Sequence, residues 1–303
     1  MAVFIFHLRY FKRNNDIIWF YYFGFINTMS NMIKTFTVDG QQMAYQDHGQ
    51  GPVIVFGHSY LWDSQMWLPQ VEVLSQSYRC IVPDLWAHGL SQAAPYNMTN
   101  LRDYGAHILA LMDYLDIEEF SIVGLSVGGM WGAEVVSLAP HRVNALVLMD
   151  TFVGLEPEIT NRKYFAMLET ISLSQMVPEV LIQTVSPLFF SKSVRQDNPR
   201  LIEQFERRLA SIHGQDAAEI ARVGRMVFGR RDMIDEIETF HLPVLIAVGQ
   251  EDVPRPVLES YLMHDCIVGS ELVEIPNAGH IANLEQPEYV TETLRTFFSK
   301  VYS

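Results

Sequence analysis

Ser126 sits between two glycines, in Gly124-Leu-Ser-Val-Gly128, after the apolar run Phe120–Val123 and ahead of a stretch, Gly128–Ala139, that reads as a buried helix. A strand, a tight turn and a helix start in that order hold a serine hydroxyl out over a sheet. The flanking glycines are needed because a Cβ at either position would collide with the neighbouring strand or helix. The helix N-terminus behind the hydroxyl favours negative charge developing beside it. Such a serine can attack a carbonyl carbon. Its hydroxyl is a weak nucleophile at neutral pH, so it needs a base to take its proton and an acid to orient the base.

Both follow in the chain. Leu242–Gly249 is a continuous apolar run of strand length, as a strand buried on both faces should be, and Gln250-Glu-Asp252 comes after it. Glu271–Ile275 is a further strand, and Pro276-Asn-Ala-Gly-His280 follows. His280 is the expected base, returning its proton later to the leaving group. Asp252 is the expected acid, holding the ring in one tautomer and stabilising the imidazolium. Glu251 is the rival acid, and Asp252 has the bland alternative of capping a turn before Pro254; Asp252 is preferred because it lies three residues past Gly249. His58 and His88 are the other histidines near strand ends.

A tetrahedral intermediate also needs N–H donors for its oxyanion. The residue after the nucleophile, Val127, supplies one. Tyr60, in the loop Gly57-His-Ser-Tyr-Leu-Trp62 that follows the apolar strand Val53–Phe56, is the candidate for the second. His58, Trp62, Trp131 and Phe152 are expected in the substrate pocket.

The elements that must position these groups alternate along the chain. Strands are expected at Thr35–Val38, Gln42–Asp47, Val53–Phe56, Cys80–Pro83, Phe120–Gly124, Ala145–Asp150, Pro243–Val248 and Glu271–Ile275, the first two as an antiparallel pair turning at Asp39-Gly40. Helices are expected at Leu68–Ser75, Leu101–Leu115, Gly128–Ala139, Val257–Met263 and Pro287–Phe298. This is an α/β fold with a mostly parallel central sheet and helices on both faces. Residues 31–150 and 241–303 form the core, and 151–240, helical in period and without a convincing strand, form an inserted cap. The cap's apolar residues, Tyr164, Met167, Leu168, Leu188, Phe189 and Phe228 among them, imply as a group a lid over a dry pocket. Arg222, Arg225, Arg230 and Arg231 read as surface residues.

Four stretches carry a family resemblance: His58-Ser-Tyr60 with Asp63-Ser-Gln-Met-Trp67, Asp84-Leu-Trp-Ala-His-Gly-Leu-Ser91, Gly124–Gly129, and Ala278-Gly-His-Ile-Ala-Asn-Leu-Glu-Gln-Pro287. Together they resemble the α/β-hydrolase fold superfamily, in the group of esterases, 3-oxoadipate enol-lactonases and cofactor-free perhydrolases, over roughly residues 35 to 300. The resemblance implies a serine hydrolase of carboxylesterase or lactonase type acting on a small, largely apolar substrate. Carbon–carbon bond hydrolysis with the same three residues, and a non-catalytic ligand-binding protein on the same fold, are the alternatives. Two positions depart from the family pattern: Ser59 replaces a glycine before the oxyanion residue, and Ala87 replaces the first glycine of the Asp-x-x-Gly-His-Gly stretch. A serine rather than an aspartate at the elbow argues against the haloalkane dehalogenase and epoxide hydrolase branches. Tyr60 fits poorly with perhydrolases, which often carry tryptophan there.

Composition agrees. Nearly half of the 303 residues are hydrophobic, enough for a large core, and the formal net charge of −14 disfavours nucleic acid and anionic membranes as partners. Two cysteines, Cys80 and Cys266, make no disulfide framework or zinc set, and no dinucleotide fingerprint is present; no cofactor and no metal are expected. A cytoplasmic monomer or homodimer is the expectation. Residues 1–30 are rich in aromatics, too short in their apolar run for a comfortable span and without a small-residue cleavage site. They read as upstream sequence ahead of a start at Met29 or Met32, with a weak anchor or a poor signal sequence as the other readings.

Overall fold

The computed structural model describes residues 33–303; the readings of residues 1–30 as leader, anchor or upstream sequence lie outside the described residues. Strands β1 (Ile33–Val38) and β2 (Gln41–His48) are joined by Asp39 and Gly40, both at positive φ (48° and 81°), the backbone that a two-residue hairpin requires. The remaining strands are β3 (Val53–Gly57), β4 (Arg79–Pro83), β5 (Phe120–Leu125), β6 (Val143–Met149), β7 (Val244–Gly249) and β8 (Glu271–Ile275). They form one sheet in the order β1-β2-β4-β3-β5-β6-β7-β8, with β2 antiparallel to β4 and every neighbouring pair from β4 to β8 parallel. Every residue of β5 and β7 is buried, which is why β7 reads as an unbroken apolar run and β5 as one interrupted only by Ser121.

Helices α1 (Leu68–Leu74), α2 (Leu101–Tyr114) and α3 (Val127–Leu138) make the first three crossovers. The chain steps one way along the sheet from β3 to β4 and the other way from β4 onward. With right-handed crossovers, this sends α1 to one face and α2 and α3 to the opposite face. The strands' carboxyl ends around this reversal are where an open parallel sheet offers a site. The start of α2 is set by a capping box, Asn100 and Asp103 each receiving the other's backbone N–H.

Between β6 and β7 the chain makes no strand, only a single bridge between Met176 and His213. It runs instead through α4 (Glu158–Ser174), α5 (Glu179–Phe189), α6 (Lys192–Asp197), α7 (Pro199–Ala210), α8 (Gly214–Phe228) and α9 (Ile234–Ile237). After β7 come α10 (Val257–Cys266), α11 (Ala282–Glu285) and α12 (Pro287–Val301). The short helical turns at 64–67, 234–237 and 282–285 went unpredicted, because four residues carry no periodicity.

One strand boundary differs in an informative way. Asp150, expected as the last residue of β6, leaves the strand at φ 45°; its N–H still reaches Ala247 O at 2.9 Å, but its carboxylate Oδ1 turns back to accept Gly249 N–H at 2.7 Å.

Candidate active site

The turn between β5 and α3 holds Ser126 at φ 55°, ψ −117°, a conformation that a side-chain-bearing residue adopts only under constraint. The constraints are visible. A Cβ on Gly124 would lie 2.2 Å from the backbone of Gly128, and one on Gly128 would lie 2.2 Å from Gly57 O in β3. Ser126 N–H donates to Met149 O at 2.9 Å, and Thr151 Oγ1 donates to Ser126 O at 2.6 Å, so the end of β6 fastens the turn from both sides.

Ser126 Oγ lies 3.0 Å from His280 Nε2, and His280 Nδ1 lies 2.9 Å from Asp252 Oδ2. Three residues 154 and 28 positions apart in the chain thus form one continuous hydrogen-bonded line, all buried. Asp252 is aimed by its own turn: Arg255 N–H donates to Oδ1 at 2.9 Å, leaving Oδ2 for the imidazole. Glu251 points elsewhere, accepting Lys192 N–H at 2.9 Å, so the rival acid does not reach His280.

The loop bearing His280 is held by the helical insertion. His280 N–H donates to Phe189 O at 3.1 Å, and the Phe189 ring stands edge-on to the imidazole at 5.3 Å. Glu285 Oε2 accepts both Gly279 N–H and Ser191 N–H at 3.1 Å, tying the loop to the end of α5. Burial pushes the Glu285 carboxyl above its ordinary range. Asn283 donates to Met66 O at 2.7 Å and so fixes the same loop to the segment after β3.

Tyr60 and Val127 both carry backbone N–H groups with no acceptor in the protein among the described residues. The Tyr60 hydroxyl, by contrast, is occupied: it donates to Ile220 O in α8 at 2.8 Å, and burial drives its pKa well up. Two neighbouring loops are locked by Asp84, which accepts Ser64 N–H at 2.7 Å and Leu90 N–H at 2.9 Å. Ala87, where the family pattern has glycine, adopts φ 62°, so the loop keeps the left-handed turn without the residue that favours it. Ser59 is fully buried and its N–H meets Met66 Sδ at 3.3 Å.

A cavity of about 90 Å³ reaches Ser126 and His280. Tyr60 and Leu61 line it from the core. Met167, Leu168, Leu188, Phe189 and Phe228 line it from the insertion, and Arg255 lines it beside Asp252. Met130, one helical turn past Ser126, also faces it, and spacing along α3 could have identified it.

None of the four expected pocket residues lines this cavity. His58 is a structural residue: its Nδ1–H donates to Ser59 O at 2.8 Å and its Nε2 accepts Leu85 N–H at 2.8 Å, which requires the neutral ring that burial favours. Trp62 stacks on Phe205 of α7 at 5.0 Å, joining the loop after β3 to the insertion. Trp131 turns to the core side of α3, under Gly57 and edge-on to Tyr104 at 5.5 Å. Phe152 folds back over Gly154. His88 donates from Nδ1 to Trp86 O at 2.9 Å and, desolvated, has its pKa pulled down to about 3. Among the arginines expected at the surface, Arg230 is buried instead.

Among the described residues, no group of three or more His, Cys, Asp or Glu side chains is placed to hold a metal ion, and no helix is long and apolar enough to cross a membrane.

A sequence model of the α/β-hydrolase fold matches residues 52–287. The chain is 25% identical over 258 residues to 3-oxoadipate enol-lactonase 2 of Acinetobacter baylyi, covering 84% of this chain and 92% of that protein. A thermophilic esterase from Thermogutta terrifontis superimposes with a TM-score of 0.81 at 27% identity, over 89% of this chain and 98% of the esterase. The enol-lactonase of Burkholderia xenovorans, at 24% identity and a TM-score of 0.78 over 88% of this chain and all of that one, shares the fold.

Proposed function

The chain belongs to the α/β-hydrolase fold family and is a hydrolase, and from that premise we propose that it is a serine hydrolase of carboxylic esters or lactones. The observation that carries this reading is the line Ser126 Oγ, His280 Nε2, His280 Nδ1, Asp252 Oδ2, with spacings of 3.0 and 2.9 Å, opening into an apolar cavity.

Ser126 Oγ attacks the carbonyl carbon as His280 Nε2 takes its proton. The imidazolium that forms is stabilised by Asp252 through Nδ1–H. The unpaired N–H groups of Tyr60 and Val127 are the donors for the oxyanion, with the start of α3 adding its partial positive charge. His280 then protonates the leaving alkoxide, and a water activated by the same nitrogen releases the acyl group. A lactone follows the same steps, its leaving alkoxide remaining part of the product. The insertion at 151–240 acts as a cap over this cavity of about 90 Å³, and a substrate enters when α4, α5 and α8 part from the core.

Hydrolysis of p-nitrophenyl acetate, butyrate and octanoate, with a lactone panel in parallel, tests the reading. Wild type turns over a short ester or lactone and is labelled by a fluorophosphonate. Ser126→Ala loses roughly 10⁴- to 10⁶-fold in kcat and is not labelled. An inert, unlabelled wild type overturns the proposal.

A further inference from the structure

Asp150 follows the last residue of β6, is completely buried, and has no part in the acyl-transfer steps above. At φ 45° its side chain turns back to the end of β7, where Oδ1 accepts Gly249 N–H at 2.7 Å. Gly249 is where two reacting residues are brought together. Its carbonyl oxygen accepts Asp252 N–H at 3.0 Å. A Cβ on it would collide with the carbonyl oxygens of Ala278 and Gly279, so the backbone of β7 packs directly on the loop that ends in His280. Glu251 N–H donates to Ala278 O at 2.8 Å and ties the same turn to the same loop. One residue past Asp150, Thr151 Oγ1 donates to Ser126 O at 2.6 Å. Consecutive residues at the end of β6 therefore bear on all three reacting residues: Thr151 on Ser126, and Asp150, through Gly249, on Asp252 and His280.

The second oxygen of Asp150, Oδ2, is buried and has no partner among the described residues. An anion placed there would have one N–H to offset its loss of water. The charged groups around it are Asp252, from the turn after β7, and Glu285, from α11. Burial, and then these two carboxyls, push the Asp150 pKa well up. Asp150 is no rival for the imidazole, because His280 Nδ1 is taken by Asp252 at 2.9 Å.

We propose that Asp150 is a positioning residue for the reaction, a neutral carboxylic acid that acts through Gly249 to hold Asp252 and His280 in line with Ser126. The inference rests on the serine-hydrolase reading above and adds to it a residue that touches neither the substrate nor the imidazole. Neutrality matters, since a second anion behind Asp252 would hold the proton on His280 more tightly and raise the pH at which it serves as a base.

The test compares two variants, with kcat taken per active site titrated by a fluorophosphonate so that unfolded protein does not count. Asp150→Ala removes the acceptor and is expected to lower kcat by about 10- to 100-fold with KM within about twofold. Asp150→Asn keeps an uncharged acceptor oxygen and is expected to hold kcat within about threefold of wild type, with the acidic limb of its kcat/KM profile unmoved. Full kcat per site in Asp150→Ala, whatever its melting temperature, reduces Asp150 to a structural residue and overturns the inference. A loss in Asp150→Asn as large as in Asp150→Ala, or an acidic limb displaced to lower pH, shows a working anion and also overturns it. If Asp150→Ala does not fold, Asp150→Asn decides alone by the same two readings. A wild type that is inert and unlabelled sinks the serine-hydrolase reading instead. Positioning is then read from the low-field proton NMR signal of His280 Nδ1–H, expected in wild type and Asp150→Asn and lost or moved upfield in Asp150→Ala. An identical signal in all three proteins overturns it.

Discussion

The rival acids beside β7 separate at the level of single atoms. Asp252 Oδ2 faces the imidazole at 2.9 Å, whereas Glu251 is spent on Lys192 N–H. Asp252→Asn should lower kcat by about 10⁴-fold by stabilising the wrong imidazole tautomer. Glu251→Gln should stay within a few-fold, a contrast that steady-state kinetics reads directly. The same resolution applies to the turn at Ala87 and Gly89. Ala87 occupies φ 62° with a Cβ that this region disfavours, so Ala87→Gly is expected to raise stability by up to about 1 kcal/mol. Gly89 has φ 55°, and a Cβ there would lie 2.2 Å from Asp84 Oδ2. Gly89→Ala should therefore destabilise the protein, with both effects measured by urea denaturation.

Among the elements, the end of α5 and the loop after β8 act as one unit. Glu285 Oε2 accepts an N–H from each, and His280 itself bonds to Phe189 O. Glu285→Ala leaves two buried N–H groups without an acceptor and should cost about 1–3 kcal/mol. It should also lower kcat, because the loop that aims His280 loses its anchor. Glu285→Gln keeps an acceptor oxygen and should recover most of both, which thermal unfolding and kcat report separately. On the opposite rim, Tyr60→Phe removes the bond to Ile220 O while leaving the backbone N–H in place. It should cost about 1 kcal/mol without abolishing turnover.

For the whole molecule, buried titratable groups set the acid limit of stability. Folded His88 refuses a proton until about pH 3, against an ordinary value of 6.5. Between those pH values the unfolded chain binds a proton that the folded chain does not, so stability falls as pH is lowered across the window. Buried His58 and His48 shift in the same direction. Asp150 and Asp84, raised by burial, act oppositely: they hold protons in the folded state above their ordinary range, and the stability linked to that form is lost as pH rises. His88→Asn, measured as the urea midpoint at pH 7 and at pH 4, is expected to show a smaller acid loss than wild type.

The sequence by itself determined the strands, the longer core helices and the grouping of Ser126, Asp252 and His280 as candidates. Apolar runs buried on both faces and the glycine spacing around Ser126 are local, so six parallel strands, the elbow and the order Ser126, Asp252, His280 could all be read from neighbours in the chain. The apolar lid over the pocket was legible as a group, but which residues of the core loops face the cavity was decided only by the tertiary structure. Trp62 and His58 flank Tyr60, Trp131 lies just past Ser126 and Phe152 follows β6, yet all four turn into packing and loop contacts. The cavity wall is assembled from α4, α5 and α8, far away in the chain, together with Tyr60, Leu61, Met130 and Arg255. Arg230 could not be told from its neighbours Arg225 and Arg231 by composition. Its burial goes with Glu156, 74 residues earlier, and that pairing exists only once the two ends of the insertion come together.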